Sequence, residues 1–323
     1  MRTCLAAFVL LGLTTIPALA FDCTKAKTAV EKAICAEPEL KQVDDALATA
    51  YVALKSSLAP EDQKMLTASE RRWVANREYC AQADEGLSLC VKQRTEERLR
   101  LLEGRPESGP GVGTPLVPVF LVQQGTPELY DIDMTLLRFA DVTTLGKETL
   151  NRITEETLAS AKLGPHGEDT QGAIFAQQDS FSLTYASPQL ISVHHAFYVN
   201  EGGAHGNFGT ANFNIDMETG KLLEAKDILP EPSAAILTLW CKKQIEAEKK
   251  KRVPDIDLSE EAAERDKTIA EQVRNLGSWS IGEKEIVVSF DPYAVGTYAE
   301  GAYECRFPTA GVKQMAREGA LLP

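Results

Sequence analysis

Beyond residue 20, the 323-residue sequence has no apolar run of about 18 residues, the length that a membrane-spanning helix needs. It has too few cations to balance its acids: 34 Lys and Arg stand against 47 Asp and Glu, for a net charge of −13. Such a surface repels nucleic acid and anionic lipid and attracts cationic partners. Histidine is scarce, with four in all, and Gly-x-Ser-x-Gly does not occur around Ser187, which lies in YASP. There are no internal repeats.

The one long apolar run is MRTCLAAFVLLGLTTIPALA, with an Arg near its start and small residues at its end. This pattern predicts a secretory signal peptide over residues 1–20 and a periplasmic location. Six cysteines follow it: Cys23, Cys35, Cys80, Cys90, Cys241 and Cys305. An even number in an exported chain predicts disulfides, two in an N-terminal unit and one in a C-terminal unit. Antiparallel helices would bring Cys80 to Cys35 and Cys23 to Cys90. Sequential pairing, Cys23 to Cys35 and Cys80 to Cys90, is the alternative, and sequence does not choose.

Residues 104–118, GRPESGPGVGTPLVP, hold four glycines and four prolines and read as a linker. Residues 21–103 before it read as an all-α helical bundle. Leu40, Val43, Leu47, Tyr51 and Leu54 share one helical face. Pro60 with Glu61 and Asp62 starts a second helix, whose face is Leu66, Ser69, Trp73 and Asn76. A last helix runs from about Ser88 to Leu102, with Arg98 and Arg100 suiting the dipole at its end. Trp73 is read as core, Arg77 as an ion-pair partner, and Asp44 and Tyr51 as fold determinants.

Residues 119–323 mix both periods. LYDIDMTLLRF, FSLTYAS, LISVHHAFYV, TANFNIDM and EIVVSF read as strands. Helices are expected over 146–161, 232–252 and 258–275, with a hairpin turn at METGK. The two kinds of element do not alternate strictly, which predicts an α+β domain with a mostly antiparallel sheet.

Two stretches carry candidate chemistry. EGGAHGNFG at 201–209 sets His205 among four glycines, after the pair His194 and His195. Adjacent strand residues point to opposite faces, so at most one of that pair could join His205; no metal site is read. No helix start follows, so it is not a phosphate loop. It reads as a structural turn built by Gly202, Gly203 and His205. DPYAVGTYAEGAYE at 291–304 offers three tyrosines, a proline and three acids, the composition of a protein-binding loop. Its partner-binding candidates are Pro292, Tyr293, Tyr298 and Glu300, with Ser187 beside them. The tyrosines could instead pack inside the sheet, Tyr303 least so. No catalytic residue and no cofactor is assigned, and no spacing singles out two acids for glycoside hydrolysis.

Cys23, Glu31, Ile34, Cys35, Leu40, Asp44, Tyr51, Arg71 or Arg72, Trp73, Arg77, Cys80 and Cys90 follow the pattern of the LprI-type domain of bacterial lysozyme inhibitors, which residues 21–103 resemble. The region 125–318 resembles the extracellular lysozyme-sensing domain of RsiV-type anti-sigma factors. That resemblance is clearest at Gly203, Ala204, His205, Asn214, Asp216, Gly220, Phe290, Tyr293, Tyr298 and Gly301. The chain lacks that family's membrane span and sigma-binding segment, so sigma regulation does not carry over. Together the resemblances imply an exported, non-enzymatic protein that binds a cationic lysozyme or related muramidase. The alternatives are a protein that binds peptidoglycan or another envelope component, and a glycan hydrolase.

Overall fold

The computed structural model describes residues 21–123, 130–163, 175–202 and 204–323. The signal-peptide reading and Gly203 lie outside the described residues.

The N-terminal unit is helical, as its periodicity predicts: α1 (Ala29–Ala36), α2 (Pro38–Ser57), α3 (Pro60–Arg77) and α4 (Leu87–Leu102). A capping box starts α1, in which Thr28 accepts from the Glu31 N–H and Glu31 accepts from Thr28. Proline at the first turn starts α2 and α3. Two disulfides staple the ends of the unit, and both are sequential: Cys23–Cys35 and Cys80–Cys90, with Cα atoms 5.6 and 5.5 Å apart. The pairing of Cys35 with Cys80 is therefore corrected. The segment before α1 folds back along that short helix, and a tight turn returns Cys80 to the start of α4. Each cysteine thus meets its sequence neighbour first.

Buried cations run through this bundle. Arg77 donates to Asp44 at 2.8 Å and to Thr95 at 3.2 Å. Arg98 reaches Glu70 and Ser69 across to α3, a helix-to-helix contact rather than a dipole effect. Both guanidinium groups lie over the Trp73 ring, at 4.6 and 5.9 Å from its centre. Asn76 is exposed; Arg77 takes the buried position next to it.

The C-terminal region is α+β, and its strands divide between two sheets. The first holds β1 (Leu116–Val122), β2 (Tyr130–Phe139), β3 (Phe175–Ala186), β4 (Leu190–Asn200) and β5 (Asn207–Asp216), in that order. All neighbours are antiparallel except β2 and β3, between which α5 (Leu145–Ala159) crosses. Parallel neighbours need such a crossover. Alternation buries one face: Met134, Leu136, Phe181, Leu183 and Val193 pack with Leu150 and Ile153 of α5. METGK forms the expected turn, where Asp216 accepts from the Glu218 and Thr219 N–H groups. After the turn the chain makes a single bridge, between Ile215 and Leu222.

A short helix, α6 (Ala225–Ile228), leads into α7 (Glu231–Arg252) and α8 (Ala262–Val273). These cover a three-stranded meander, β6 (Trp279–Ile281), β7 (Glu285–Phe290) and β8 (Tyr303–Pro308), and α9 (Thr309–Met315) follows. Cys241 of α7 bridges to Cys305 of β8. The two sheets join through polar side chains that capture backbone. Asn214 donates to the Leu276 and Trp279 carbonyls, and Ser192 accepts from the Ile281 N–H.

Strand β1 begins inside the stretch that reads as a linker. Pro118 fits there because β1 is an edge strand. The residues before it are fastened too: Glu107 N–H bonds the Leu183 carbonyl, and Ala186 N–H bonds that of Ser108. Gly104 has φ +62°, and a Cβ there would stand 1.7 Å from the Leu116 oxygen, so only glycine serves. Phe120 of β1 enters a core with Leu47, Leu66 and Leu102, which binds the helical unit to the sheet.

At that junction Arg72 of α3 pairs with Asp131 and lies 3.9 Å from Asp133. Burial pushes the Asp133 carboxyl up to about 6, against the pull of Arg72 and Arg98, and its Oδ1 has no partner. A raised folded value means that the folded state favours the proton. Stability therefore falls as pH rises from about 4 to about 6 and stays low above. Asp133→Asn is expected to raise the unfolding free energy from urea titration at pH 7.5 by about 2 kcal/mol, and to change it little at pH 4. Equal effects at the two pH values would refute this account.

Candidate functional site

The loop between β7 and β8 and the turn before β5 meet in an aromatic cluster. His205 stacks on Tyr298, with ring centres 3.7 Å apart and planes 17° apart. Tyr298 donates its hydroxyl to the Gly206 carbonyl at 2.9 Å. His205 Nδ1 lies 2.9 Å from the same carbonyl, and Nε2 lies 3.3 Å from the Tyr293 hydroxyl. A carbonyl only accepts, so Nδ1 carries the proton, and in the neutral ring Nε2 accepts from Tyr293. Phe208 meets Tyr298 edge-on at 6.2 Å. A Cβ on Gly206 would stand 2.3 Å from the Tyr198 hydroxyl, so glycine here lets the Tyr198 ring lie against the turn.

Tyr293 is the most outward member, 62% exposed, and the only tyrosine of its loop in that state. The Ala294 N–H bonds the Asp291 carbonyl at 3.0 Å, which sets Pro292 second and Tyr293 third in a tight turn. Its φ is +72°, a value that favours glycine at that place. Asp291 anchors the turn to β5, accepting from Thr210 N–H at 3.1 Å and from its hydroxyl at 2.9 Å.

Behind the turn stands a buried brace. Lys249 donates to the Val295 carbonyl at 2.9 Å and to Glu300 at 2.6 Å. Glu300 also accepts from the Tyr303 hydroxyl and the Thr297 N–H. Burial would raise the Glu300 carboxyl, but these donors outweigh it and hold it down at about 2. Tyr303 is raised, by burial and then by Glu300.

Of the sequence candidates, the structure brings Pro292, Tyr293, Tyr298 and His205 together. Glu300 is corrected from a partner contact to the centre of the brace, its side chain 10% exposed. Tyr303 is corrected as well: it faces the core at 1% exposure, because β8 points it inward in phase with Cys305. Ser187 is buried and accepts from the Leu190 N–H at 3.0 Å, so it shapes the β3–β4 turn and offers nothing to a partner. Gly202 has φ +95°. His194 and His195 diverge: His194 meets Asn212, and His195 meets Asp179. Among the described residues no three His, Cys, Asp or Glu side chains group as a metal site. Sequence reading missed Phe197 and Phe208, 37% and 40% exposed; large apolar residues in the polar half of their strands were the available signal.

Comparison with known proteins finds similarity in both parts of the chain. Residues 23–102 match the family profile described as lysozyme inhibitor LprI. The chain is 35% identical over 78 residues to "Lipoprotein LprI" of Mycobacterium bovis and of two Mycobacterium tuberculosis strains. Those matches cover 24% of this chain, and the chain spans 38% of the length of these curated relatives. Residues 226–310 match "Protein of unknown function (DUF3298)", with which the RsiV-like resemblance is consistent. A DUF3298 family member from Bacteroides fragilis shares 17% identity, with a TM-score of 0.46, over 64% of this chain and 95% of its own. One from Pseudomonas aeruginosa shares 19%, with a TM-score of 0.40, over 66% and 99%.

Two outcomes follow from this geometry. Tyr293→Gly should leave the urea midpoint unchanged or higher, since it relieves positive φ and removes little burial, whereas Tyr303→Phe should cost about 1–2 kcal/mol. The depressed Glu300 contributes stability that is present above about pH 4.5 and lost as pH falls toward 2. Urea titrations across that window should show a smaller loss in Glu300→Gln than in the parent; equal losses would assign the effect to other groups.

Proposed function

We propose that this is an exported, non-enzymatic protein that binds and inhibits a muramidase, with the Tyr293–Tyr298–His205 cluster as the surface that enters the enzyme's cleft. The observation that carries this is Tyr293 itself: exposed, and held at positive φ by a braced turn. Strain of about 1–3 kcal/mol persists where structure over-determines it, and it concentrates at binding sites. A rigid aromatic anchor loses little freedom on binding, which favours affinity. The LprI family match on the same chain supports a muramidase as the partner. Muramidases of the lysozyme type are basic, and a chain of net charge −13 attracts them from a distance.

The test is a titration of the purified, oxidised protein against a c-type lysozyme, followed by lysis of bacterial cell walls. Stoichiometric inhibition that weakens between low and physiological salt is expected. Tyr293→Ala and Tyr298→Ala should each weaken it by about tenfold or more. Absence of any complex at low salt would sink the reading. Inhibition indifferent to both tyrosines would move the contact surface to the helical unit.

A further inference from the structure

The face of the first sheet opposite α5 is polar, and it is roofed. Thr135 of β2, Ser180 and Ser182 of β3, and His194 of β4 line it. A polar sheet face ordinarily meets water. Here α4 leans over one side of it and the outer face of the β6–β8 meander over the other. They leave a cleft of about 470 Å³. A second hollow of about 360 Å³ adjoins it, sharing Trp73, Arg98, Thr135 and Ser180. Ligand sites span about 300–1,000 Å³.

The cleft's polar atoms are presented, not spent. The hydroxyls of Thr135, Ser182, Ser280 and Ser289 make no hydrogen bond to the described residues. His194 is oriented from behind. Asn212 Nδ2 donates to the Gly277 carbonyl, which fixes the amide and leaves Asn212 Oδ1 to accept from His194 Nδ1, 3.0 Å away. The other ring nitrogen, Nε2, then accepts from whatever enters the cleft. Leu137 and Val287 add apolar contact between these groups.

Charge and shape select the ligand. Of the charged groups on the wall, Arg98 pairs with Glu70, Arg105 with Glu103 and Glu304 with Arg306. That leaves Arg94 and Arg100 against Glu97 and Glu107, so fixed charge is balanced and neither an anion nor a cation is favoured. An acyl chain would strip hydroxyls of water and give nothing back. An extended peptide needs a free strand edge, whereas the floor strands β2, β3 and β4 are paired on both sides. We infer that this cleft binds an uncharged oligosaccharide of N-acetylated amino sugars, whose hydroxyl and amide groups both donate and accept. The cleft is lined by none of His205, Tyr293 and Tyr298, and it does not rest on the muramidase reading.

The probe is tri-N-acetylchitotriose, titrated calorimetrically into the oxidised full chain. Binding in the micromolar to low-millimolar range is expected. Ser182→Trp fills the cleft from an exposed position and should weaken binding by about tenfold or more. His194→Phe, which keeps much of the ring's bulk but removes the acceptor, should weaken it in a protein that still melts cooperatively, at a lower temperature because the Asn212 Oδ1 loses its donor. Tyr293→Ala should bind the sugar as the parent does, and Ser182→Trp should inhibit a muramidase as the parent does. No heat with about 10 mM sugar would overturn the inference, as would equal affinity in the parent and in both cleft variants.

Discussion

A single buried ammonium holds the candidate surface in place. Lys249 lies at the end of α7, 3% exposed, and bonds both the Val295 carbonyl and Glu300. Removing a charge from water is tolerable only when its partners are complete. Glu300 meets that condition by accepting at once from Lys249, Tyr303 and the Thr297 N–H. Arg252, one turn further along α7, lies over the Tyr303 ring and bonds the carbonyls of Glu300 and Ala302. The loop from Asp291 to Ala302 is thus clamped to a helix that the Cys241–Cys305 bridge already ties to β8. Its strained turn and outward tyrosine depend on that clamp.

The same economy joins the two sheets. Thr184, Ser192 and Asn214 stand on the polar face of the first sheet and bond the backbone that starts the second. A buried backbone group needs a partner, and a side chain that supplies one fixes both position and angle. The meander is therefore held at the rim of the polar face instead of on top of it. That placement leaves the cleft open, while Phe120 and the Arg72–Asp131 pair set the helical unit as its opposite wall.

Much of this is legible in the sequence where local chemistry decides. Proline and acids at 60–62 mark the start of α3, and alternation marks β3 to β5 and β7. The residues that bound the aromatic loop stand out by composition. What fails to show are the effects of phase and of distant contact. Tyr303 and Tyr293 look alike in DPYAVGTYAEGAYE, but one extends the inward phase of β8 and the other occupies a glycine's place in a turn. Glu300 looks like a surface acid because its partner lies 51 residues away. Strand β1 hides behind four prolines and glycines in close order, since an edge strand tolerates proline that an inner strand would not. Disulfide pairing hides because α1 is too short to announce itself beside α2.

Folding also sharpens the chain's charge. Among the described residues the charged side chains taken inside are Arg77, Arg98, Lys147, Lys249 and Arg265, against Asp44 and Asp179. Five cations and two acids leave solvent contact, so the surface is more acidic than the composition alone implies. Cations suit this role: the Arg77 guanidinium lies over Trp73 and still reaches Asp44 with its edge, which a second acid could not do. The core thus gains its polar cross-links and the exterior gains field of one sign from the same residues. A field of that sign acts on the encounter rate and on the choice of partner more than on the contact itself. Affinity then rests on the few aromatic groups that the Lys249 brace holds outward. Distance and contact are in this way assigned to different parts of one chain.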